Sequence, residues 1–179
     1  MTHRKLLSTL GLAAAAALIC GCTPGPAGTP TPTPTPTTAS ATPTPTISPE
    51  EQKLEDAKAR VVLMWATLDK LLMDPTSKIN DLDPIVAGEE LTALQILVTT
   101  VRQQEHVQVG TSLVTNQTAV AKGDTWVVTS CVDRSNAIIT AKNGKPVTPA
   151  PAPRLSRANT LKVVGGYLRI TEDRELGTC

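Results

Sequence analysis

Apolar residues recur at Leu54, Ala57, Val61, Trp65, Leu68 and Leu72, the three-and-four spacing that lays one helix face on a core. The start of this helix is marked by Ser48-Pro49-Glu50-Glu51. Serine can cap, proline suits the first turn, Glu51 stands where a capping box needs it, and the acids complement the helix dipole. Asp74-Pro75 marks its end, because the residue before proline is pushed out of the helical region. Ile79, Leu82 and Ile85 suggest a short turn or helix. A third helix follows Gly88, with Leu91, Leu94, Leu97 or Val98, and Val101 on one side, and is over by Gln104. After His106 the period becomes alternating. Val107, Val109, Thr111 and Leu113 share one side of a strand, and Trp126, Val128, Ser130 and Val132 one side of the next. Asn143-Gly144 and Gly165-Gly166 read as hairpin turns, with strands over Arg154–Val164 and Tyr167–Thr171. Helices followed by antiparallel strands predict a single α+β domain over residues 48–179.

The chain ahead of that domain carries an address. Arg4 and Lys5 precede an apolar run from Leu6 to Ile19, shorter than the ~20 residues a spanning helix needs. The run ends in Leu18-Ile19-Cys20-Gly21-Cys22, which resembles the bacterial lipobox, with Cys20 where Ala or Ser is usual. Residues 1–21 therefore read as a lipoprotein signal peptide. Cys22 is the expected lipidation site, which would place the protein on the outer side of a cell membrane. An ordinary secretory signal with Cys22 as a free thiol is the alternative. Residues 22–47 combine that cysteine with a Thr/Pro-rich tether that cannot build a core. As a polyproline spacer it would reach at most about 80 Å. Such stretches also accept O-glycosylation.

Cleavage before Cys22 would leave Cys131 and Cys179 as the free pair, and in an oxidising compartment two cysteines are most simply a disulfide. Free thiols or a metal site are the alternatives, but no His or Cys lies at ligand spacing from either. The whole chain balances 17 bases against 16 acids, yet between Val107 and Ile170 eight bases face only Asp124 and Asp133. Arg134, Arg154, Arg157 and Lys162 could form a basic interaction face there; a solvated sheet face is the plainer reading.

The order of elements resembles the nuclear transport factor 2-like superfamily, in which helices pack inside a curved antiparallel sheet shaped as a cone. More closely, the chain is similar to actinobacterial lipoproteins of unknown role. It shares with them the tether, Cys131-Val132-Asp133-Arg134-Ser135, Lys142-Asn143-Gly144-Lys145-Pro146 and the tail Gly177-Thr178-Cys179. The resemblance covers residues 48–179. It implies that the two cysteines tie the C-terminal strand to the middle of the sheet.

Superfamily members that are isomerases or cyclases hold an acid/base pair deep in the cone. The residues of this chain expected to line such a pocket are Asp133, Tyr167, Trp65 and Trp126. After cleavage His106, beside Glu105, is the one histidine left, and it reads as a loop residue rather than a general base. No catalytic residue, metal ligand or cofactor motif is assigned: there is no glycine-rich phosphate loop, no His pair and no nucleophile triad. With Phe absent and only two Trp and one Tyr, stacking platforms for nucleic acid are poor. Two functions lead: an interaction or scaffold module that meets a cell-envelope protein, and a binder of a small hydrophobic or lipid-like ligand in the cone; an acid/base isomerase or cyclase-like enzyme is the third alternative.

Overall fold

Helix α1 spans Pro49–Met73 and starts as the sequence predicts. Ser48 Oγ accepts from the Glu51 amide at 3.2 Å, and the Glu51 carboxylate accepts from the Ser48 amide at 2.8 Å. That exchange satisfies two orphan donors and holds the Glu51 carboxyl below the usual range. The computed structural model describes residues 47–147 and 154–179. The signal peptide, Cys22, the tether and the loop residues 148–153 lie outside the described residues. A 3-10 turn follows at Ile79–Leu82, then helix α2 at Gly88–Gln103. The strands are β1 (Val107–Val109), β2 (Leu113–Lys122), β3 (Thr125–Asp133), β4 (Ile138–Thr140), β5 (Arg154–Val164) and β6 (Tyr167–Thr178). No helix among the described residues is long and apolar enough to cross a membrane.

The class is α+β, but the cone implied by the resemblance is not formed. The strands divide into a four-stranded antiparallel sheet, β2-β3-β5-β6, and a separate ribbon of β1 and β4. Two physical causes stand out. The run from Val107 to Leu113, expected as one strand, breaks at Gly110, whose φ is +78° and whose backbone lies so close to the Asn136 carbonyl that any Cβ would collide with it. The chain turns there, so β1 pairs with β4 while β2 starts a new sheet on β3. One face of that sheet is also filled. Met64, Leu68 and Leu71 of α1 meet Val128, Val132, Leu161 and Ile170, all at most 2 % exposed. Each such side chain contributes about 1.5–3 kcal/mol by leaving water. This space is core, not an open binding cavity.

Strand β2 carries a second irregularity. Asn116 has φ +51°, and the register with β3 shifts between Thr115 and Thr118. Val114 and Ala119, five apart, consequently both pack on the core. On the far side of the sheet, Ile170 of β6 exchanges backbone hydrogen bonds with the segment before α2. Ala87 donates to its carbonyl at 2.8 Å, and its amide donates to Ile85 at 2.9 Å.

Candidate functional site

The four residues expected in one pocket stand in separate places. Asp133 ends β3 opposite Arg154, whose Nε is 3.4 Å from its carboxylate. The Ser135 amide donates to Asp133 at 2.9 Å, and its hydrogen bonds, with Arg154 adding less, hold the carboxyl below the usual range. Tyr167 lies at the β5–β6 turn, 61 % exposed, with the Arg169 guanidinium 5.7 Å above its ring. Asp133 pairs with the first residue of β5 and Tyr167 faces the last. At about 3.3 Å per residue they are roughly 30 Å apart, so no acid–phenol pair is assembled. Trp126 is half-buried beside Lys53 and Lys162 in a concavity of about 640 Å³ at the β2–β3 turn. Trp65 is buried under the sheet.

The four cations of the expected basic face are likewise divided. Arg154 and Arg157 are three apart on one strand, and strand alternation sends them to opposite faces. Arg154 stays with Asp133, whereas Arg157 turns inward onto Trp65. Arg134 reaches the same indole, so two guanidiniums approach its ring at 5.7 and 5.8 Å. Lys162 lies at the far end of β5.

Around Trp65 the helix–sheet interface is polar rather than oily. Arg157 Nε meets both Asp173 oxygens at 2.9 Å, with side chains only 19 % and 5 % exposed, and its Nη1 lies 3.7 Å from Glu175. Glu90 of α2 approaches the same group. Burial and then repulsion from Asp173 push its carboxyl above the usual range. One turn of α1 beyond Trp65, the carboxylate of buried Asp69 accepts from Gln108 Nε2 at 2.7 Å, the Ser112 amide at 2.6 Å and Ser112 Oγ at 2.9 Å. These bonds lash α1 to the β1–β2 connection. Burial lowers the pKa of Arg134, which the Asp69 charge opposes and Arg157 reinforces. Arg134 has no carboxylate within 4.0 Å among the described residues; its nearest side-chain acceptor is Gln108 Oε1 at 3.4 Å.

Two openings lie next to this layer and at the end of α2. A groove of about 340 Å³ runs between α1 and the start of β2. Trp65 and Asp69 form its floor, and Val62, Met73 and Leu113, 37–61 % exposed, form its rim. A cleft of about 550 Å³ separates the end of α2 from the β4 turn, lined by Pro75, Arg102, Glu105, His106, Val107 and Lys142 among others. At its mouth Glu105 occupies the left-handed position that closes α2, with φ +54° and the His106 amide bonded back to Val101 at 3.0 Å. Glycine is the usual residue there. A side chain costs roughly 1 kcal/mol in that conformation, while the exposed Glu105–Lys142 pair at 2.9 Å returns only a fraction of it. Glu105→Gly is therefore expected to raise stability by about 0.5–1 kcal/mol in urea unfolding. Unchanged or lower stability would show that the pair outweighs the backbone.

No family model matches this chain, and no curated protein matches it. Its fold has a neighbour among solved structures. The intermembrane space region of the chloroplast protein ARC6 superposes with a TM-score of 0.54 at 16% identity, over 75% of this chain and 100% of that one. A de novo designed β-sheet protein matches at a TM-score of 0.40 and 14% identity, over 69% and 91% of the two chains. The first likeness establishes a shared fold and nothing finer.

Proposed function

We propose that residues 48–179 are a non-catalytic docking module, held outside the cytoplasm by lipid on Cys22, and that α1 receives an amphipathic helix of a cell-envelope protein. The observation that carries this reading is an uncovered apolar stripe on α1. Ala59, Ala66 and Met73 follow one another at seven-residue intervals, with Val62 and Leu63 between them, and all five are exposed. That spacing is the seam along which one helix packs against another. The groove beside it continues the apolar surface to Leu113. Cys131 and Cys179 are joined in a disulfide, which suits an oxidising compartment. The ARC6 neighbour is itself named as an intermembrane space region, which agrees with a domain working beside a membrane.

Crosslinking and capture from envelope membranes, with the full chain as bait, test the proposal. Val62→Glu with Ala66→Glu should reduce recovery of the partner at least tenfold, about 1.4 kcal/mol, while Arg154→Glu leaves it unchanged. Equal recovery from both would sink the α1 seam. Cys22→Ala should abolish palmitate labelling and release the protein from membranes; a labelled variant would refute the anchor.

A further inference from the structure

We infer that the cleft between the end of α2 and the β4 turn is a binding site for a small organic carboxylate with an apolar body. This inference is independent of the docking reading, since the cleft shares no residue with the α1 stripe.

The anion half of the argument rests on Arg102. Its Nη2 donates to the carbonyls of Leu71, Asp74 and Ser77 at 3.1, 3.3 and 2.9 Å, closing the C-terminal end of α1. Those bonds hold the guanidinium in a single orientation without neutralising it. Its Nε is buried and unpartnered among the described residues. Asp74 does not line the cleft, and Arg102 is the least of the influences on its carboxyl, behind the Thr76 and Ser77 hydrogen bonds. Facing Arg102 from the other wall is Lys142, whose Nζ is shared with Glu105 at 2.9 Å. Of the charged side chains that line the cleft, two are cations and one is a carboxylate. A guanidinium already fixed by its neighbours loses little freedom when a carboxylate arrives.

The apolar half comes from Pro75, Val107 and Ala141, which line the same space, and from its size. About 550 Å³ falls within the ordinary range for small-ligand sites. Half-buried His106 supplies a further polar group at the rim. The backbone adds an independent observation. Glu105 holds a left-handed conformation at a helix end where glycine would be free of strain, and its carboxylate pairs with Lys142 at the opening. Strain retained in a cleft is a common mark of a binding site.

Hexanoate and hexanol are suitable probes, since they share a tail and differ in charge. Titrated into the ¹⁵N-labelled full chain, hexanoate should produce saturable shifts at the Arg102 Nε–H, His106, Ala141 and Lys142 signals. Hexanol should bind at least tenfold more weakly. Lys142→Glu should remove the preference for hexanoate while leaving the remaining spectrum in place, and Ala141→Trp should block both probes. No saturable shift, an equal response to hexanol, or shifts spread over Lys53 and Lys162 as well would each overturn the inference.

Discussion

Removing the Cys131–Cys179 bridge, as the paired alanine variant, is expected to lower the stability of this domain by about 4 kcal/mol. The bond closes a loop with a sequence separation of 48, and the chain-entropy relation assigns that figure to such a loop. Its placement makes the effect structural as well as entropic. Cys131 lies on β3 opposite Ser156 of β5, and Ser156 lies opposite Gly177 of β6. The bridge thus passes over β5 and pins the end of β6 to the centre of the sheet. Without it, the last residues of β6 keep only their ladder to β5, which is itself irregular between Ser156 and Arg157. Domains of this size have about 5–15 kcal/mol in total, so the variant should sit near the edge of folding. Urea unfolding with and without reductant measures the change. The uncrosslinked chain expands further on unfolding, so free energies should be compared rather than midpoints alone. A loss below about 1 kcal/mol would show that the β6 end is held by its own hydrogen bonds.

Arg157→Ala should be nearly as costly, at about 3 kcal/mol. Breaking a buried ion pair from one side leaves the other charge unpaired, and reported losses run to about 3–5 kcal/mol. Here the abandoned group is Asp173, 5 % exposed, with Glu90 beside it already pushed above the usual carboxylate range by burial and by Asp173. The same change uncovers one face of Trp65. Part of the loss should be recoverable with acid. A raised carboxyl stabilises the fold when protonated and loses that contribution as the pH rises through its folded value. The deficit of Arg157→Ala should therefore shrink as the pH falls and Glu90 takes up its proton, and Asp173→Asn in the same background should restore stability at neutral pH. A deficit independent of pH, with no rescue, would assign the cost to lost packing on Trp65 instead.

The helices were legible because their signals are local. Ser48, Glu51 and Pro75 each act within a turn of the residue they affect, and the spacing from Leu54 to Leu72 needs no partner to be read. Strands β3 and β5 and the turn at Gly165-Gly166 were visible for the same reason. The sheet arrangement was not, because it depends on two single residues. Gly110 divides one alternating run into strands of different sheets, and Asn116 reverses the parity of β2 halfway along. Alternation read across either position assigns the wrong faces. The site was harder still. Trp65 and Asp69 look like an ordinary inward helix face, and nothing in their spacing foretells Gln108, Ser112, Arg134 and Arg157 gathering upon them. One part is legible in the sequence itself: a separation of three on a strand denies Arg154 and Arg157 a common face.

The two interruptions in the main sheet have a bearing on how many copies can share a crowded surface. A bare outer strand is a template on which another molecule can extend the ladder, and such growth is a route to aggregation. In this domain the β2 border is bent at Asn116, and the β6 border is occupied at Ile170 by Ile85–Ala87. Neither border offers a long uninterrupted template. High local density, as on a membrane, would then favour encounters between side-chain surfaces over the merging of sheets.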